Sequence, residues 1–297
     1  MLSVGSNVPS DCHVKPGDVV IVYPWVGCGQ CETCSSGSTY LCEEIGSHIK
    51  NASEPNSFAL SHYLVVQEWQ NLVKLPKEIP KDIGCMLPYW ALRVYAAILE
   101  AKPSFEQAVL IRGFANLLVI GCNNLELWCI AFLKNVFCDK NVKVICAESD
   151  QASLNLAIES GADDSVLWKE GASVEEIVDA TTMNGYNKMD VVIDLVGDAT
   201  AFAVAFLTLH NGGTILELGT RVQQVDLPLA LLIEKSVTVK AVKAGSRYIL
   251  KQLVDLLAIQ RVTLSIPVES YSIEDLSLAR ESLDKGEVKG HAIVRYE

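Results

Sequence analysis

Four cysteines in one short stretch constrain this chain more than anything else in it. Trp25-Val-Gly-Cys-Gly-Gln-Cys-Glu-Thr-Cys-Ser-Ser-Gly-Ser-Thr-Tyr-Leu-Cys42 places two residues between Cys28 and Cys31 and two between Cys31 and Cys34, with Cys42 following after a short loop. Thiolates so spaced can bend round a single ion at about 2.3 Å, and a fourth completes a tetrahedron that leaves no position open to substrate. The reading is a closed structural zinc site, one ion per chain, that organises a lobe and does no chemistry. The alternatives are a disulfide cluster or free thiols. Met1-Leu-Ser-Val-Gly-Ser-Asn-Val-Pro9 has neither a basic nor an apolar signal region, so a reducing, cytoplasmic setting is expected, where clustered thiols more often hold metal.

Composition narrows the function classes. The apolar stretch Asn116 to Leu133 is interrupted by Asn123, Asn124 and Glu126, so no run reaches the roughly 18 apolar residues of a membrane span, and a soluble protein is expected. With 36 acidic against 24 basic side chains, the formal charge is -12. That balance repels phosphate backbones and anionic lipid, which argues against nucleic-acid and membrane partners and for a small molecule.

Two patterns divide the 297 residues. From about residue 14 to 75, brief β-branched runs such as Val19-Val-Ile-Val-Tyr23, His62-Tyr-Leu-Val-Val66 and Leu72-Val-Lys-Leu75 alternate with turn residues, as in a β-barrel or sandwich. Past Cys85, apolar strand candidates at 117–121, 142–146, 189–194 and 213–218 alternate with helix-length stretches near 125–135, 151–160, 174–182 and 198–208. Continuous apolar strands separated by amphipathic helices predict an α/β fold with a doubly wound parallel sheet. After residue 246 a further helix leads to mixed segments that end in Gly290-His-Ala-Ile-Val-Arg295.

The first of these strands ends at Gly121, where a dinucleotide-binding unit carries its glycine-rich turn. A full Gly-x-Gly-x-x-Gly fingerprint would continue at 123 and 126, but Asn123 and Glu126 stand there. Asn123 tolerates the left-handed backbone, though its side chain takes up space. Glu126 would set a carboxylate against phosphate at the positive helix end. Glu148 closes the second strand, where an acidic side chain can accept hydrogen bonds from ribose hydroxyls and repel a 2'-phosphate, favouring NAD over NADP. The alternative is an exposed carboxylate ahead of a helix.

Taken together, these residues resemble the zinc-containing medium-chain dehydrogenase/reductase family of the alcohol dehydrogenase type. The resemblance covers essentially the whole chain, through Val4-Gly-Ser-Asn-Val8, Lys15-Pro-Gly-Asp-Val19, Tyr23-Pro-Trp-Val-Gly-Cys-Gly29, the cysteine quartet, Ser160-Gly-Ala-Asp163, Val192-Ile-Asp-Leu-Val-Gly197, Gly212-Gly-Thr-Ile215 and Lys289-Gly-His-Ala292. It implies a GroES-like β-barrel domain over 1–90, incomplete, with the zinc lobe at 25–45. A Rossmann domain over 91–245 and a linking helix with a C-terminal return over 246–297 complete the expected organisation. By the same matching, Glu148 falls on the ribose-binding position, and His291 on a place where a basic residue often meets the cofactor pyrophosphate. The resemblance further implies NAD(P)-linked hydride transfer on an alcohol or carbonyl, and a homo-oligomer with 237–242 as an edge-strand contact.

Departures from the family pattern are equally specific. Its catalytic-zinc Cys and Gly-His-Glu segment precede the Val-Gly-Ser turn and have no counterpart in this sequence, as expected of a chain truncated at its N-terminus. A third ligand position falls on Tyr89, and a phenol is a poor zinc ligand at neutral pH. Catalytic zinc is therefore expected to be absent, activity to be in question, and a non-catalytic scaffold retaining the fold to be the alternative. No catalytic residue is assigned. Tyr89 or Tyr95 could donate a hydrogen bond to an alkoxide, or simply pack, and Cys85, Cys122, Cys129, Cys138 and Cys146 read as small buried hydrophobes.

Overall fold

The computed structural model describes residues 1–45, 62–121, 125–136, 141–222, 224–260, 266–288 and 290–296. Asn123, Cys122 and Cys138 lie outside the described residues. The chain divides into two compact units, one made of Met1–Leu92, Ala244–Val262 and Ile266–Glu297, the other chiefly of Arg93–Lys243.

In the first unit, β1 (Val20–Val22) follows the Lys15–Asp18 turn, in which the Lys15 amide donates to the Asp18 carboxylate at 2.8 Å. After the short helix α1 (Glu32–Ser35), strand β2 (Leu72–Lys74) pairs antiparallel with β1, Ile21 opposite Val73. Cys12, Val14 and Leu72 are buried beneath this pair and pack against Val8, Val20, Val66 and Trp69. The run His62–Val66, expected to be a strand, forms none. Its residues 62–65 are exposed, so alternation there marks no buried face. Helix α2 (Lys81–Met86) leads into a π-helical turn, Leu87–Ala91.

The second unit opens within α3 (Leu92–Arg112) and is built round a sheet. Its elements run β3 (Ala115–Ile120), α4 (Leu125–Val136), β4 (Val142–Glu148), α5 (Gln151–Glu159), β5 (Asp164–Leu167), α6 (Val174–Thr182), β6 (Met189–Asp194), α7 (Ala199–Thr208), β7 (Leu209–Glu217), α8 (Leu229–Lys235) and β8 (Thr238–Ala241). Six parallel strands lie in the order β5-β4-β3-β6-β7-β8, a Rossmann-type sheet whose direction of winding reverses between β3 and β6. The two strands at that point, β3 and β6, are buried at every position, as strands covered on both faces must be. Side-chain caps fix where helices start. Asp150 accepts from the Ser153 amide ahead of α5, Ser173 and Glu176 form a reciprocal capping box on α6, and Asp198 accepts from the Ala201 amide ahead of α7.

The chain then returns to the first unit through α9 (Arg247–Gln260), β9 (Val268–Ser272), α10 (Leu276–Asp284) and β10 (His291–Arg295). Strands β9 and β10 pair in parallel, with His291 opposite Val268. The return is fastened by the fully buried Tyr23, whose hydroxyl donates to the Gly245 carbonyl at 2.8 Å.

Candidate functional site

Three groups of side chains carry possible chemistry. The cysteine quartet forms the first. The metal-binding atoms of Cys28, Cys31, Cys34 and Cys42 all lie within 4.8 Å of one another. The Cys28 and Cys34 sulfurs are 4.0 Å apart and those of Cys31 and Cys42 are 3.8 Å apart. A tetrahedron with arms of about 2.3 Å has edges of about 3.8 Å, so these four sulfurs fit one zinc ion. Local backbone explains the closure. The Cys31 amide points at the Cys28 sulfur at 3.4 Å, and the Cys28 amide at the Cys42 sulfur at the same distance. Amides of Gln30 and Cys31 pull the Cys28 thiol down to about 6, whereas against the Gly29 amide, burial and the other three thiols push Cys34 up to about 12. Gly27 is required here, because a Cβ on it would sit 2.4 Å from the Cys34 sulfur.

The second group lies at the carboxyl ends of the sheet strands, where open α/β sheets bind their ligands. Gly121 follows β3 with φ +94°, and a Cβ there would meet Val196 at 2.6 Å, so only glycine suits the turn. Glu148 ends β4, and its Oε1 accepts from the Ser149 amide at 2.6 Å and the Ser149 hydroxyl at 2.7 Å. The carboxylate is thereby held at the strand end. Glu126 stands in the first turn of α4 but is 1% exposed, and its charge helps push up the thiols of Cys129 and Cys146, after burial. Its carboxylate is therefore packed inside rather than presented at the surface of the helix end.

At the other half of the same sheet edge stand residues that the sequence reading passed over. Asp194 ends β6, fully buried, its Oδ1 accepting from the Val196 amide at 2.8 Å and the Gly197 amide at 3.0 Å. Glu217 ends β7 directly opposite it in register. Burial, then the Asp194 charge, pushes the Glu217 carboxyl up to about 8, and burial likewise raises Asp194. Two buried carboxyls in neighbouring register resist ionising together. Arg93, in the first turn of α3, donates from Nη2 to the Leu218 carbonyl at 2.5 Å and from Nε to the Val242 carbonyl at 3.1 Å. A Glu inside Gly213-Thr-Ile-Leu-Glu-Leu218 and an Arg inside Leu87–Tyr95 were the available signals, each a charge in an otherwise apolar run.

The third group is aromatic and belongs to the first unit. Tyr89 stacks on Trp25 with ring centroids 5.6 Å apart and meets Trp90 edge-on at 4.8 Å. Trp90 in turn lies 6.0 Å from His291. Burial lowers the His291 pKa from its ordinary value. Tyr89 is 44% exposed, whereas Tyr95 is 6% exposed and packs on Phe132. Of the two phenols, Tyr89 is the one that reaches solvent. Cys129 and Cys146 are buried, as expected of small hydrophobes; Cys85, expected to be buried, is exposed. The cause is its place on α2, where Gly84 and Met86 supply the buried positions and Cys85 falls on the outer face.

Known proteins match this arrangement at both levels. The family description of the alcohol dehydrogenase GroES-like domain matches residues 2–77, and that of the zinc-binding dehydrogenases matches residues 129–259. Sorbitol dehydrogenase of Bombyx mori is 26% identical over 239 residues, covering 80% of this chain and 63% of the relative, so the chain spans less than two thirds of that protein's length. Among solved structures, an alcohol dehydrogenase from Thermotoga maritima superimposes with a TM-score of 0.78 at 22% identity, covering 95% of this chain and 77% of the other. The alcohol dehydrogenase TADH from Thermus sp. ATN1 gives 0.77 at 20% identity, covering 99% and 82%. With both domains matched in order across the cysteine lobe and the parallel sheet, the chain belongs to the zinc-containing, alcohol dehydrogenase-like family of medium-chain dehydrogenases/reductases.

Proposed function

We propose that this chain serves an NAD-linked oxidoreductase acting on a small alcohol or carbonyl compound. One observation carries the reading: the carboxyl end of a six-stranded Rossmann-type sheet with Gly121 closing β3 and the fixed carboxylate of Glu148 closing β4. Glu148 would take the ribose hydroxyls and exclude a 2'-phosphate. When bound, the nicotinamide accepts or donates the hydride; the protein's part is to orient the two reactants and keep water out. The cysteine quartet would hold one zinc ion with all four thiolates, leaving it no open position for substrate. Tyr89, the exposed phenol of the aromatic group, is the residue we would test first as a hydrogen-bond donor to a developing alkoxide.

The test is a calorimetric titration with NADH and NADPH, repeated on Glu148→Ala. NADH is expected to bind more tightly than NADPH in the parent protein, and the preference to disappear in the variant. Binding at a hundred times the dissociation constant would raise stability by about 2.7 kcal/mol, which a melting curve reads directly. Equal affinity for the two cofactors in the parent would remove Glu148 from the ribose site.

A further inference from the structure

The carboxyl edge of the second unit's sheet is asymmetric. On the β3–β4 side stand Gly121 and Glu148, the residues of the proposed nucleotide half-site. On the β7–β8 side, Leu218 and Val242 are the first residues past their strands, and the backbone still pairs there, the Val242 amide donating to the Glu217 carbonyl at 2.9 Å. Their own carbonyls are the next main-chain acceptors along that edge, and both are taken by Arg93.

Ligands of doubly wound sheets lie across both halves of this edge and find main-chain polar groups there. We propose that Arg93 is a built-in plug of the second half-site: its guanidinium occupies the β7 and β8 carbonyls that the distal half of a dinucleotide would otherwise engage, so that full seating requires the arginine to withdraw. The Arg93 charge also acts weakly on Glu217, which lies opposite the buried Asp194 at the same edge. A planar donor fork suits this task, since it satisfies two carbonyls at once from a rigid group. The consequence is an adenosine half-site open to a mononucleotide and a distal half-site gated by one side chain.

This inference rests on the reading of the sheet as a dinucleotide site, and the experiment separates the two. Parent protein, Arg93→Ala and Arg93→Lys, each first shown to melt cooperatively, are titrated calorimetrically with NADH and with AMP. AMP, which needs only the adenosine half, should bind all three equally. NADH should bind the parent no more tightly than AMP does, and should bind Arg93→Ala about tenfold more tightly than it binds the parent, the equivalent of one charge-assisted hydrogen bond no longer displaced. Arg93→Lys, which keeps the charge without the fork, should fall between them and carries the test if the alanine variant does not fold. Absence of any gain for NADH on substituting Arg93 overturns the plug. If the parent then binds NADH well, the cofactor reading survives; if neither NADH nor AMP binds any of the three, that reading fails as well.

Discussion

Glu217 is the residue whose environment most directly sets a measurable property. Its carboxyl is held near 8, against an ordinary value of 4.5, first by burial and then by Asp194. Between those two values the folded protein carries a proton that the unfolded chain has released, so stability must decline as pH rises through that window. Below it the native pair carries no penalty, and above it the full penalty applies. The lowered carboxyls of Asp18, Asp150 and Asp164 act in the opposite sense and only at acid pH. Melting temperature is therefore expected to fall from about pH 5 to about pH 8, and Glu217→Gln, which replaces the acid by a neutral isostere, should flatten that slope and leave the variant the more stable protein at the alkaline end. An unchanged slope in Glu217→Gln would show that the Glu217 carboxyl is not raised in the folded protein.

The capping residues make the case at the level of elements. Ser173 accepts from the Glu176 amide at 3.2 Å, and Glu176 in return accepts from the Ser173 amide at 2.8 Å. Replacing Ser173 by Ala should cost about 1 kcal/mol in chemical denaturation, and Ser173→Asp, which restores an acceptor, should recover most of it. The central strands were legible in the sequence, because β3 and β6 are buried on both faces and so read as unbroken apolar runs. Strand β5 was not: Asp164 and Ser165 open it at the sheet edge, where half-exposed positions carry no apolar signal. The long helix α3 was hidden too, since Pro103 lies inside it and Gly84 and Pro88 precede it. His62–Val66 misled in the other direction, for an alternating pattern without a partner strand makes no sheet. At the candidate site, the cysteines, Gly121 and Glu148 could be found from spacing alone, but Arg93, Asp194 and Glu217 gain meaning only when parallel register brings distant strand ends together.

At the scale of the whole molecule, the two units depend on different physics. The sheet unit rests on burial: fourteen residues of one core cluster, Leu118, Val192 and Phe206 among them, are at most 5% exposed. The lobe of the first unit has a four-residue helix, a single 3-10 turn and few apolar residues, so sulfur–metal bonds are what can hold its loops in place. Metal content is therefore the property on which the lobe depends. Elemental analysis of purified protein should find one zinc per chain, reduced to a small fraction of that in Cys31→Ser, with the first unit losing protection from proteolysis round residues 25–45. Parent protein that is folded, fully reduced and free of metal would contradict the account.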